Sequence, residues 1–159
     1  MKGFTLIELM VVVAISAVLV GVGTVSISRV LAREKVNSAQ KELISVLRLA
    51  RNYAVTSQIP AGYGSQLDYV SVSWDSEGKV IAAAANLSTG VGATYFSKDV
   101  TDKEVTMTSD GVLFSVPEGK MLLNPTTPQD PSYVRTIEIK SVEADETGAV
   151  QIDGGGQIW

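Results

Sequence analysis

Residues 1–15 read MKGFTLIELMVVVAI, and this stretch decides how the rest of the chain is read. From Leu9 to Ile27 the sequence runs for nineteen residues without a charge. As a helix extended to Ser28, that run is about 30 Å long, the thickness of a bilayer's hydrocarbon core. Glu8 stands at its head. An ionisable group in a membrane span costs about 2.5–3.5 kcal/mol at the centre and less near an end, so it calls for a partner. A cleaved secretory signal would suit Lys2 and the small residues Val30 and Ala32. However, the run exceeds the roughly 7–15 residues of such a core, and polar Ser28 and Arg29 precede the supposed cut. An uncleaved anchor is the other plain reading, and it leaves Glu8 unexplained. A cut between Gly3 and Phe4 would supply a partner, because the new ammonium of Phe4 lies about one helical turn from Glu8. Stranding one member of a buried ion pair costs about 3–5 kcal/mol, so such a pair is poor glue but a good register key.

The hexapeptide Gly3-Phe4-Thr5-Leu6-Ile7-Glu8 ahead of an apolar helix resembles the class III signal of type IV pilins and type II secretion pseudopilins. That resemblance implies a leader of residues 1–3, removed by a prepilin peptidase after Gly3, and N-methylation of Phe4. It implies that Phe4 and Glu8 direct assembly, and that residues 4–28 form first a transmembrane helix and later the core of a filament. Its implied partners are other pilin subunits, the membrane and an inner-membrane assembly platform. The implied location is the cytoplasmic membrane, single-pass with the head outside, then a periplasmic or extracellular filament. Charge counting alone gives the opposite orientation, since Arg29, Arg33 and Lys35 follow the apolar run and only Lys2 precedes it. Gly21 and Gly23 lower helix propensity late in the run. They suit close helix packing through small residues and equally, by the resemblance, a helix-melting stretch that unwinds on entry into the filament.

Around this segment the composition is that of a folded protein of 159 residues, one small domain plus an anchor. A net charge of −4 gives no general basic surface for nucleic acid. Without histidine or cysteine the chain has no Ser-His-Asp or Cys-His machinery, no His-ligated metal site and no disulfide. No cofactor or metal is expected, and an enzyme is the last-ranked class. The acids Asp145, Glu146 and Asp153 lack calcium-loop spacing. The glycines at 62, 64 and 154–156 read as turns and tail flexibility.

Past Arg29 the helix continues with a one-sided apolar stripe at Val36, Ala39, Leu43, Leu47, Ala50 and Ala54, flanked by Val46 and Tyr53. Lys35, Lys41, Glu42, Arg48 and Arg51 read as its solvated face. Residues 29–59 are therefore an amphipathic helix ended by Pro60. Residues 60–159 are a β-rich globular head, and the whole is α+β: a long N-terminal helix packed on an antiparallel sheet. Strands are expected throughout the head. LDYVSVSW turns at Asp75–Gly78 into KVIAAAA, and EVTMTS passes through an Asp110-Gly111 hairpin signal into VLFSV. KMLLN follows the Pro117–Gly119 turn, then YVRTIEIKSV and AVQID form a closing hairpin.

The stretches LRLARNYAVTSQ, DGVLFSVPEGK and the closing hairpin carrying Arg135, Ile137, Ile139, Gly148 and Val150 are similar to H-type minor pseudopilins and related minor pilins. This resemblance implies a minor structural subunit, with a major pilin as one alternative. DNA capture for uptake is a less favoured one, which would need Lys98, Lys103 and Lys120 gathered on one face. Tyr63, Tyr69, Tyr95 and Tyr133 read as core and strand-face residues. Trp159 either tucks into the head or projects from it.

Overall fold

The structure, a computed structural model, describes residues 5–64, 66–88, 90–100, 105–108, 110–142 and 145–159, with side chains described outside residues 22–26. A single helix, α1 (Leu6–Val55), runs for 50 residues, about 75 Å at 1.5 Å per residue. Among the described residues nine strands follow: β1 (Tyr69–Trp74), β2 (Lys79–Asn86), β3 (Gly90–Asp99), β4 (Val105–Met107), β5 (Asp110–Ser115), β6 (Met121–Asn124), β7 (Thr127–Pro128), β8 (Val134–Ser141) and β9 (Thr147–Asp153). The chain is thus α+β, with a long amino-terminal helix on an antiparallel β head, as the spacing of apolar residues requires.

The expected stripe is the helix's buried face: Val36, Ala39, Leu43, Val46, Leu47, Ala50 and Ala54 are all buried. The charged face is exposed at Lys41 and Arg48 and half-buried at Lys35, Glu42 and Arg51, and its two arginines are a correction. Arg48 donates to the Ile158 carbonyl at 2.8 Å, and Arg51 reaches the carbonyls of Gly119 and Gly155. Both arginines flank the stripe closely enough to tie the head's loops to the helix, although Arg48 remains exposed. The helix also ends before residue 59. Ser57 takes a left-handed conformation (φ 51°), its N–H donates to Ala54 O, and Gln58 N–H donates to Tyr53 O. That reciprocal pair closes the last carbonyls and turns the chain ahead of Pro60.

The head holds two sheets where one was expected. Six strands run in the order β3-β2-β1-β5-β6-β7, and three in the order β4-β8-β9, all neighbours antiparallel. α1 packs across both, against β1 and β5 of the first and β4, β8 and β9 of the second. Val70, Val72 and Trp74 share the buried face with Phe114, Met121, Ile139 and Ile152. Trp74 places its indole N–H on Thr108 O at 2.7 Å, so its polar edge is satisfied as well as its ring.

The Asp75–Gly78 turn is where the sequence puts it. The Asp75 carboxylate accepts from the N–H groups of Glu77 and Lys79, and Gly78 adopts φ 82°. The Asp110-Gly111 hairpin is absent. β4 pairs with β8, and β5 pairs with β1 and β6. Gly111 is a strand residue at a close approach, where a Cβ would stand 2.9 Å from the Val72 carbonyl oxygen. The PTTPQDP loop contains β7, two residues paired to β6. β3 lies outside the expected set and forms the edge beyond β2, with register shifts between Ala82 and Ala85. The glycines at 154 and 156 are buried close-packing positions and no flexible tail: a Cβ at Gly154 would meet the Asp130 carbonyl, and one at Gly156 the Gly119 carbonyl.

Candidate assembly helix

α1 opens at Thr5, whose extended backbone (φ −79°, ψ 151°) and hydroxyl cap the first turn. Thr5 Oγ1 accepts the Glu8 N–H at 3.3 Å, and Thr5 O accepts from Glu8 N at 3.1 Å and Leu9 N at 3.2 Å. Thr-x-x-Glu is the spacing of a capping box, with Glu8 at the third helical position. The partial positive charge at a helix amino terminus stabilises a carboxylate there by about 0.3–1 kcal/mol. Sequence reasoning passed over this signal because the membrane argument had already claimed Glu8. The glutamate therefore has a local reason to sit in the first turn besides any partner. Gly3 and Phe4, the residues of the expected cut, methylation and pairing, lie outside the described residues.

From Leu9 to Gly21 the helix is apolar on every side and covered on none. Leu6, Ile7, Leu9, Met10, Val11, Val12, Val13, Ile15, Val18, Leu19 and Val20 are all more than half exposed, as are Ile27, Val30 and Leu31. Consecutive residues such as Val11, Val12 and Val13 span the circumference, so no rotation of the helix would hide them. Among the described residues the first helical side chain buried by the head is Ala32. Contiguous exposed apolar surface on soluble monomers rarely exceeds a few hundred Å². This rod exceeds that by any reckoning. Among the described residues no helix is long and apolar enough to cross a membrane; the uncharged run Leu9–Ile27 passes through residues 22–26, whose side chains are outside the description. A Cβ at Gly21 would meet nothing within 4 Å, so nothing in the head requires glycine there. Gly23 falls within the 22–26 stretch.

At the neck, the β8–β9 hairpin straps the helix. Arg33 pairs with Glu146 at 3.2 Å, and Gln40 donates to Ala149 O at 2.9 Å. Ile137 lies opposite Val150 and Ile139 opposite Gly148, while Arg135 faces Ile152 and pairs with Asp110. The lysines considered for a basic patch are otherwise engaged: Lys98 with Glu42 at 2.7 Å and Lys120 with Glu118 at 2.8 Å. Lys103 lies outside the described residues.

Tyr69 is buried, Tyr133 is exposed, and Tyr95 stacks on Tyr53 with ring centroids 4.6 Å apart. Burial, with Tyr63 and Tyr53 beside it, pushes the Tyr95 phenol up to about 12. Trp159 does both things asked of it. Its backbone pairs with Gln151 and its indole N–H donates to Gln151 Oε1 at 2.8 Å, while half of the residue stays exposed.

With this geometry in hand, residues 1–24 match the family model of the prokaryotic N-terminal methylation motif. No curated protein and no solved structure matches the chain. The match spans the hexapeptide and the apolar run as far as Thr24, and it gives the chain an amino-terminal signal of the pilin type.

Proposed function

We propose that the chain is a structural subunit, a minor pilin or pseudopilin, of a type IV pilus or type II secretion-like filament. On this reading it enters the cytoplasmic membrane with its head outside. Prepilin peptidase cuts after Gly3, Phe4 is methylated, and the assembly platform lifts α1 into a bundle of like helices. The observation that carries the proposal is the rod from Leu9 to Val20, exposed and apolar around its circumference, continued among the described side chains by exposed Ile27, Val30 and Leu31. Such a surface is stable only in lipid or among partners, and a methylation motif on the same residues supports the sequence of both.

The Phe4 ammonium and Glu8 carboxylate supply register within that bundle, and packing supplies affinity. Gly21 and Gly23 serve close packing or unwinding of the helix in the filament, a reading supported by the open space a Cβ at Gly21 would meet. The likeness of the closing hairpin to minor subunits supports a minor role. The ion pairs of Lys98 and Lys120 weigh against DNA capture, because a phosphate backbone would have to displace Glu42 and Glu118. The test is intact mass and amino-terminal sequencing of the protein isolated from its host's membranes. Loss of Met1–Gly3 with one added methyl group is expected. A retained Met1–Gly3 in assembled material overturns the reading.

A further inference from the structure

The continuous helix leaves no slack between the apolar run and the head. Ala32, the first side chain of α1 buried among the described residues, stands four residues above Ser28, about 6 Å along the axis. The β8–β9 hairpin comes down beside it. A Cβ at Gly148 would meet the side chains of Val36 and Gln40, which places that glycine about 12–18 Å above Ser28. Two residues lower, at about 3.3 Å each, Glu146 meets Arg33, itself about 8 Å above Ser28. The Ser141 N–H donates to Glu146 O at 3.0 Å, so β8 ends at the same height. Val142 follows, about 3 Å lower, level with Val30 and Leu31. All three of these apolar side chains are more than half exposed.

We infer that the β8–β9 turn is a second membrane contact, with Val142 seated in the phospholipid headgroup layer beside the point where α1 leaves the hydrocarbon. The inference rests on the membrane-anchored stage of the proposed function. With Leu9–Ser28 filling the hydrocarbon core, the headgroup layer takes up roughly the next 5–7 Å. Val142, Val30 and Leu31 stand about 3–5 Å above Ser28 and fall inside it. A head standing clear in water gains nothing from three exposed apolar side chains at its base, whereas the headgroup–acyl boundary accepts them. Arg29 is exposed one residue above Ser28, where its guanidinium meets phosphate oxygens. On the turn itself Asp145 is answered by Lys140 at 3.5 Å and Glu146 by Arg33 at 3.2 Å, so these two acids reach the phosphates already paired. Val142 adds little affinity beside a whole span. Its effect is to fix the tilt and rotation of α1, which a lone span leaves open and interfacial anchors set.

The chain contains no cysteine, which permits a direct test. Full-length chains bearing Val142→Cys, Val30→Cys, Leu19→Cys or Gln58→Cys are labelled with a small fluorophore. They are reconstituted in phosphatidylcholine vesicles that carry a nitroxide either on the headgroup or deep in the acyl chain. The headgroup nitroxide should quench the labels at 142 and 30 several-fold more than the label at 58, which lies past the end of α1, about 40 Å above Ser28. The deep nitroxide should quench the label at 19. Quenching at 30 without quenching at 142 overturns the contact. Equal quenching at 58 and 142 also overturns it, because the head then lies flat on the bilayer. In both cases quenching at 19 spares the membrane-anchored stage, and its absence sinks both. In a second arm, Val142→Asp should weaken headgroup quenching of a label at Thr147→Cys several-fold. Unchanged quenching there counts against Val142 as the anchor.

Discussion

Arg51 on α1 donates from Nε to the carbonyl oxygen of Gly119 at 3.1 Å and from Nη2 to that of Gly155 at 3.4 Å. One guanidinium thus joins the helix to the β5–β6 turn and to the carboxy-terminal segment. Hydrogen bonds from a charged group are worth about 1.5–3 kcal/mol, and Arg51→Ala should cost that much in chemical denaturation of the full chain. Arg51→Lys should recover little, because a single ammonium cannot span both carbonyls with the guanidinium's fork.

Glu8 has two possible duties, a cap and a charge partner, and Glu8→Gln separates them. Glutamine serves at the third position of a capping box, so helix content by circular dichroism should be unchanged. Filament incorporation, measured in sheared surface fractions, should fall as far for Glu8→Gln as for Glu8→Ala. Wild-type incorporation of Glu8→Gln would reduce the residue to a cap.

Ser57 holds the left-handed position that ends α1, at φ 51°. A side chain with a Cβ is strained there by about 1–2 kcal/mol, and glycine is not. Ser57→Gly should raise the thermal midpoint, with part of the gain offset by the freer unfolded chain. A lowered midpoint would mean that the Ser57 side chain stabilises the turn.

Asp110 and Arg135 couple the two sheets to pH. Burial alone would raise the Asp110 carboxyl. The Arg135 hydrogen bond, the Gly111 N–H and the Arg135 charge together outweigh it and hold it below its usual range. A carboxyl depressed in the folded state contributes stability above its unfolded value, about pH 4, and loses it as pH falls through the folded one. Asp110→Asn should therefore destabilise the chain at neutral pH and flatten its stability profile below about pH 4. Denaturation midpoints at a series of acidic pH values check this.

Much of this architecture is legible in the residues themselves. Val36 to Ala54 repeat at helical spacing, and Val70, Val72 and Trp74 alternate, because burial on one face selects for both patterns. β3 escapes notice for a physical reason. It is an edge strand, mostly exposed, and the shifts opposite Ala82–Ala85 break its period of two. Asp110-Gly111 misleads because the glycine answers to a close contact with Val72, a constraint that local spacing does not record. Arg48 and Arg51 look like solvent residues, since their acceptors are carbonyls more than sixty positions away. Thr5-x-x-Glu8 was readable as a cap and was overshadowed by the apolar run behind it.

The continuity of α1 from Leu6 to Val55 has a geometric corollary. With no joint between the greasy half and the half that bears the head, the compass bearing of the head is set by how many residues separate them. One extra residue between Ile27 and Ala32 would swing the head by about 100° and raise it by about 1.5 Å, whereas seven would return it to within about 20° of its starting azimuth. The chain thus writes the heading of its outer surface in the arithmetic of a single rod.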